Sequence, residues 1–264
     1  MSRRDEPDGH RAATPGGGGD PDAPGRRRIG SERAHVRVRI DRAHLEHAEA
    51  LEELQRVCFP NLAPSEWMTA DHFRLHQQVF PEGEFVALAA DAPDGTPLPD
   101  ERVVGLGSGF LMDFDFAHPD HAFGEVISGG TYANHDPDGD WYYGADISVH
   151  PDYRGLGIGR RLYRARQDLV RRLGKRGIVA GGALPGYPRY RDLLSVPQYV
   201  EKVVAGELQD PTLSFQLANG FAVRGMIRGY IEDAYTDDWA TLIVWENPER
   251  APSAASDDAG PEST

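Results

Sequence analysis

VHPDYRGLGIGRRLY, residues 149–163, puts three glycines (Gly155, Gly157, Gly159) into five residues and runs directly into a basic, amphipathic stretch. Ahead of it, WYYGADISV (Trp141–Val149) reads as a strand with no polar face to spare. A glycine loop between strand and helix gathers main-chain N–H groups at the positive end of the helix dipole, which suits an anion and above all a phosphate. Arg154 enters the loop, and Arg160 and Arg161 stand in the first helical turn, where cations are unfavourable unless an anion compensates. Two nucleotide-binding alternatives fail on the neighbouring residues. The phosphate loop of an NTPase needs Lys and then Ser or Thr after its last glycine, and Gly159 is followed by Arg160-Arg161. A dinucleotide-binding turn wants an acidic residue about 20 positions on, where this chain has Lys175, Arg176 and then Ile178–Gly181.

Working outward, HVRVRI (His35–Ile40) alternates as a half-buried strand, and Leu45–Phe59 carries Leu45, Ala48, Leu51, Leu54, Val57 and Cys58 on one helical stripe. A second helix is expected over Pro64–Phe80. Glu84–Ala90 and Glu101–Phe114 read as an antiparallel pair of strands. Phe116–Asp140 is rich in Gly, Asp and His and long for a connection, which marks it as functional. Past the glycine loop come a helix over about Gly157–Leu173, a buried strand over Gly177–Leu184, two short helices within Tyr187–Leu208, and another over Pro211–Ala218. Strands over Phe221–Ile231 and Thr241–Asn247 close the series. This order predicts a mixed sheet of about six or seven strands flanked by helices, in the α+β class.

The 264 residues thus divide into a domain over 34–247, an arm over 1–33 and a tail over 248–264, both expected to be disordered from their Gly, Pro and charge content. Net charge of −14 and a pI near 5.1 argue against nucleic acid as the main partner. No apolar run approaches the ~20 residues a membrane helix needs, and no signal-peptide core is present, so a cytoplasmic location is expected. The single cysteine, Cys58, rules out an internal disulfide and a cysteine zinc cluster. His118, His121 and His135 have no spacing that demands a metal, and His135-Asp136-Pro137-Asp138-Gly139-Asp140 reads as an Asx-stabilised turn rather than a calcium loop. No metal is expected.

The stretch VHPDYRGLGIGRRLY resembles the acyl-CoA loop of the GNAT superfamily of N-acyltransferases, with the Gln/Arg-x-x-Gly-x-Gly/Ala pattern at Arg154, Gly157 and Gly159. FPEGEFVAL, GGTYANHDPDGDWYYG, GYPRY, YVEKVVAGELQDP and LANGF are similar to a GNAT subgroup often fused to a carbon–nitrogen hydrolase domain. Such a hydrolase needs a nucleophilic cysteine, and Cys58 lies in the first helix, so the second activity is not expected here. The resemblance implies a mostly antiparallel sheet whose central strands splay. It implies acetyl-CoA as cosubstrate, with Ile147, Ser148 and Val149 along the pantetheine and the loop amides of Gly155, Leu156, Gly157, Ile158, Gly159 and Arg160 on the pyrophosphate, joined by Arg154. A backbone N–H near Val149 would polarise the thioester carbonyl.

The chemistry then asks for a base and an acid. An amine of pKa ~10 must lose a proton before it attacks. Asp146 is the base candidate, facing opposite to Ile147 and Val149 and sharing a face with Ser148 and Tyr142 by strand alternation. The tyrosine that the family places before a Gly-Phe is missing: Gly220-Phe221 marks the position and Gln216 stands four residues earlier. Tyr187 and Tyr190 of the GYPRY segment are the substitutes, with Tyr143 a further candidate. The reading is an N-acetyltransferase acting on a primary amine by direct attack, its acceptor pocket framed by Phe116–Asp140 and Leu184–Leu208. The rivals are a non-catalytic acyl-CoA-binding module and a dinucleotide enzyme. Edge strands near the C-terminus leave a homodimer open.

Overall fold

The computed structural model describes residues 36–60, 62, 66–232 and 238–250. The arm expected over 1–33 and most of the tail lie outside these residues. Packed structure continues as far as Arg250, whose guanidinium donates to Asp140 Oδ1 at 2.9 Å and to the Gly174 carbonyl at 2.7 Å.

Strands β1 (Val38–Arg42), β2 (Phe85–Asp91), β3 (Pro97–Met112), β4 (Trp141–Val149), β5 (Gly177–Gly182), β6 (Ala222–Ile227) and β7 (Ala240–Glu246) form one sheet in the order β1-β2-β3-β4-β5-β7-β6. Every pairing is antiparallel except β4 with β5. Helices α1 (Ala48–Cys58) and α2 (Ala70–Val79) cover one face, and α4 (Ile158–Arg172), α5 (Val196–Val204) and α6 (Leu213–Ala218) the other; α3 (Phe123–Val126) is a single turn inside the long β3–β4 connection. The fold is the α+β arrangement expected from the sequence.

Local chemistry sets the ends of these elements. Helix α2 begins at Ala70, later than expected, because extended Thr69 caps it by accepting from His72 N. Ser195 caps α5 in the same way through Gln198 N. The stripe on α1 buries Ala48, Leu51 and Leu54, but Leu45 lies in a separate 3₁₀ turn and is 58% exposed.

Two features of β4 position the site. First, β4 pairs with β5 only over Trp141–Tyr143 with Gly177–Val179, after which the two parallel strands part. Second, a β-bulge interrupts the β3–β4 ladder: Ser108 pairs with Asp146 and Gly109 with Gly144, which leaves Ala145 as the extra residue. One inserted residue reverses the alternation downstream. Tyr142 therefore packs with Ile147 and Val149 in the core on the α4 side. Asp146 and Ser148 turn to the α1 side, so Tyr142 does not share a face with Asp146 as simple alternation predicts.

Candidate active site

The parting of β4 from β5 leaves a gap whose walls are main chain. His150 N donates to the Val104 carbonyl at 2.9 Å, and Gly105 faces Val149 across the ladder. The alternation of an antiparallel ladder then turns the amide and carbonyl of Ile147 and Val149 away from β3 and toward the gap. The main chain of Ser148 is turned to β3 instead, which removes it from the expected row of gap-facing contacts. Arg154 Nε donates to the Val149 carbonyl at 3.1 Å and fixes the strand end against the loop.

The glycine loop lies at the mouth of this gap. Gly155 and Gly157 have φ of 80° and 77°, a region where residues with a Cβ are strained. Gly157 is the N-cap of α4, and a Cβ placed on it would meet nothing within 4 Å, so the space above it is open. The first helical bond runs from Arg161 N to the Gly157 carbonyl at 3.2 Å, which leaves the amides of Ile158, Gly159 and Arg160 without intrahelical acceptors. Only the backbone of Ile158 serves the loop, because its side chain is buried in the core. Gly159 lets the ring of Phe215 approach: a Cβ there would lie 3.0 Å from it. Arg161 is committed to the Val38 carbonyl at 2.7 Å, whereas exposed Arg160 has no ion-pair partner among the described residues.

On the α1 side of the gap, Asp146 is 8% exposed and accepts a hydrogen bond from the side-chain amide of Gln55. Burial pushes its carboxyl up to about 6, against the opposing pull of Gln55, Arg166 and Ser148. Arg166 works from the far face, where its guanidinium donates to the Ser108 carbonyl at 2.6 Å beside the bulge. Behind Asp146 lies a closed polar network. Glu84 Oε1 lies 2.6 Å from His76 Nδ1 and accepts from Ser108 Oγ at 3.1 Å, and Ser108 Oγ is 2.6 Å from the Tyr132 hydroxyl. Cys58 is half-buried beside Ser148 and Arg154, and burial with the nearby Asp146 charge pushes its thiol up to about 11, which disfavours a thiolate nucleophile.

The two substitute tyrosines are not brought to Asp146. The Tyr187 hydroxyl donates to the Leu194 carbonyl at 3.1 Å, and its ring packs with Tyr199 in the core of the opposite face. Tyr190 lines a surface pocket of about 490 Å³ with Arg189, Asp210 and Phe215. The Leu184–Leu208 insertion follows them, because Val196, Tyr199, Val200 and Val203 bury their side chains on the α4 side. It does not share a pocket with Asp146, while the Phe116–Asp140 segment does lie on the Asp146 face, with Phe123, Val126, Ile127 and Tyr132 in that core.

Sequence reading singled out neither Gln55, which bonds Asp146, nor Tyr230, whose ring covers Gly181 of β5. The strand expected over Phe221–Ile231 would contain Tyr230, but β6 ends at Ile227 and Gly229 turns the chain at φ 63°, which leaves Tyr230 beyond the strand. The signal available was Gly229, a breaker inside an apparent strand. His118 pairs with Asp115, His121 with Tyr143, and His135 accepts from Leu111 N, so the three histidines do not converge. Among the described residues no group of three His, Cys, Asp or Glu could hold a metal ion, and no helix is long and apolar enough to cross a membrane. The turn at Asp136 forms as expected, with Asp138 N donating to Asp136 Oδ1 at 2.9 Å.

Residues 48–185 match the model of the acetyltransferase (GNAT) family. This chain belongs to the GNAT family. The GNAT chain is 34% identical over 200 residues to the "Uncharacterized N-acetyltransferase YkwB" of Bacillus subtilis strain 168, covering 75% of this chain and 84% of that protein. It is 37% identical over 201 residues to the "Probable hydrolase YhcX" of the same organism, covering 76% of this chain but only 37% of that protein's length. Among solved structures it resembles the "GphF GNAT-like decarboxylase in complex with isobutyryl-CoA", with a TM-score of 0.63 and 24% identity over 79% of this chain and 99% of the other. That last likeness is one of fold.

Proposed function

We propose that this GNAT chain transfers an acetyl group from acetyl-CoA to a primary amine by direct attack within a ternary complex. The observation that carries the reading is the gap between β4 and β5, with an open glycine nest at its mouth and buried Asp146 on one wall. The residues present fit a CoA thioester. The free amides of Ile158, Gly159 and Arg160, with the Arg160 side chain, suit a pyrophosphate. The gap-facing amides and carbonyls of Ile147 and Val149 suit the pantetheine, and Gln216 Oε1, a buried acceptor with no partner among the described residues, lies beside Gly182 at the end of β5. The solved neighbour of the same fold holds isobutyryl-CoA.

In this mechanism the nest fixes the diphosphate, and main-chain amides along β4 polarise the thioester carbonyl as its oxygen gains charge. Asp146, on the face opposite the α4 core, anchors the ammonium form of the acceptor. As the C–N bond forms and the C–S bond breaks, Asp146 takes the proton released by the attacking amine nitrogen, which its carboxyl near 6 allows, and passes it to the departing thiolate. The Cys58 thiol stays out of the chemistry, so the acyl group passes directly to nitrogen.

Calorimetric titration of the wild type and Gly157→Glu with acetyl-CoA, ATP and NADPH tests the cosubstrate, and thiol release over a panel of amines tests the transfer. Acetyl-CoA alone should bind, and the variant should lose it. Binding without turnover on any amine would favour a non-catalytic acyl-CoA module, and no binding would remove the reading altogether.

A further inference from the structure

Two phenols stand where β4 and β5 part. Tyr143 is the last residue of β4 paired with β5, and the ring of Tyr230 covers Gly181 so closely that a Cβ there would lie 2.1 Å from it. Their hydroxyls are 3.0 Å apart, and both residues are buried. The backbone amide of Gly181 sits beside both hydroxyls and favours their ionised forms, against the stronger effect of burial. From Tyr143 the chain of bonds runs outward: its hydroxyl is 2.7 Å from His121 Nε2, and His121 Nδ1 is 2.7 Å from the Pro119 carbonyl. His121 is only half-buried and belongs to the long β3–β4 connection.

The direction of these bonds follows from chemistry. A carbonyl can only accept, so His121 Nδ1 carries a hydrogen. The charged groups facing the imidazole are Asp120 next to it in the chain and Glu125 of α3, and the other packed polar neighbours are the neutral phenols of Tyr143 and Tyr230. Asp120, Glu125 and the Pro119 carbonyl favour the charged ring, but desolvation outweighs them and holds its pKa below the ordinary value, so the ring is neutral at pH 7. Nε2 is then an acceptor: Tyr143 donates to His121, and the Tyr143 oxygen accepts from Tyr230. Every hydrogen in the row points away from the gap.

We propose that Tyr230, Tyr143 and His121 form a proton exit from the gap between β4 and β5 to solvent, through which the ammonium acceptor sheds the proton it must lose before attack. The inference rests on the amine-acetylation reading above. It also completes the proton balance. An ammonium nitrogen loses two protons on becoming an amide; one ends on the thiolate sulfur and the other must leave. In the exit, the ammonium N–H gives its proton to the Tyr230 oxygen, Tyr230 passes its own to Tyr143, and Tyr143 passes its own to Nε2. The imidazolium then turns its Nε2 edge to water and releases the proton it gained there, keeping the hydrogen on Nδ1, and its return with rotation of the hydroxyls resets the row. Tyr230 is the catalytic residue of the three; Tyr143 and His121 act through it.

Two measurements on the whole chain test the exit. Nitrogen NMR of the ¹⁵N-labelled protein should show neutral His121 as the Nδ1–H tautomer; an Nε2–H tautomer would overturn the exit alone. In Tyr143→Phe, and equally in Tyr230→Phe, kcat/KM should fall about 100-fold near pH 7, with acetyl-CoA affinity unchanged in calorimetry. The deficit should fade as pH approaches the amine's own pKa, because free amine needs no exit. A deficit equal at every pH, or none, would refute the relay, since a merely structural role has no reason to vanish at high pH. A wild type that binds acetyl-CoA and acetylates no amine would count against the transfer reading and the exit together.

Discussion

Gln55 on α1 donates its side-chain amide to the carboxylate of Asp146 on β4, 91 residues away in sequence. The bond favours the ionised carboxylate, but burial wins and the carboxyl titrates near 6, above the ordinary ~3.9 of aspartate. A carboxyl that holds its proton more tightly when folded adds stability below the unfolded pKa and loses it as pH rises through the folded one. The wild type should therefore lose stability between about pH 4 and pH 6, by an amount of order 2 kcal/mol. In Asp146→Asn that slope should disappear and Tm at pH 7.5 should rise, while kcat falls at least about 100-fold. Thermal unfolding at pH 4.5 and 7.5 with steady-state rates checks both, and a variant with lower Tm at pH 7.5 would contradict the raised carboxyl.

Arg166 tunes the same carboxyl from the other face of the sheet. It is almost fully buried, forms no ion pair among the described residues and lies over the Tyr142 ring at 5.7 Å. Its charge lowers the Asp146 pKa. Arg166→Met keeps most of the packing volume and removes the charge. The acid limb of kcat/KM, expected near 6 in the wild type from the Asp146 carboxyl, should move up in pH. An unmoved limb would mean that another group governs it.

Gly157 separates backbone strain from ligand loss. With φ at 77° and open space around it, an added methyl group clashes with nothing but sits in the left-handed region. Gly157→Ala should cost about 1 kcal/mol of stability, and Gly157→Asn, which tolerates that region, less. Both should weaken acetyl-CoA binding far less than Gly157→Glu, whose carboxylate opposes the diphosphate. Chemical denaturation paired with calorimetry on the three variants checks the order.

The strand–loop–helix unit was readable because its glycines, arginines and apolar periods all serve a local purpose. Trp141–Val149 is β4 without a shift of boundary, and the helix expected from Gly157 to Leu173 is α4 over Ile158–Arg172. The bulge was not read. Gly144 inside the strand is a local hint of one, but it does not say which residue is inserted, because the insertion exists only against β3, where Ser108 and Gly109 set the register. Its effect is large, since it decides which side chains accompany Asp146. The tyrosines failed for a related reason: GYPRY offers Tyr187 and Tyr190 as substitutes for the missing tyrosine but carries no mark of which side of the sheet they take, and that side separates them from Asp146. Tyr230 reaches the gap from the β6–β7 connection, a contact that depends wholly on tertiary folding.

Gln216 occupies the place of the family's missing tyrosine, and its fate distinguishes packing from recognition. It is 4% exposed, its Oε1 finds no partner among the described residues, and a Cβ on Gly182 would come within 2.8 Å of that oxygen. A buried acceptor left unsatisfied costs about 1–3 kcal/mol, so Gln216→Leu should leave the free protein as stable as the wild type or more so. If the pantetheine amide satisfies that oxygen in the complex, the same change should weaken acetyl-CoA by roughly tenfold, one hydrogen bond's worth. Unfolding and calorimetry on the one variant give both answers. A gain in stability with no loss of affinity would place Gln216 in the core and leave the cosubstrate to the main chain of β4 and the glycine nest.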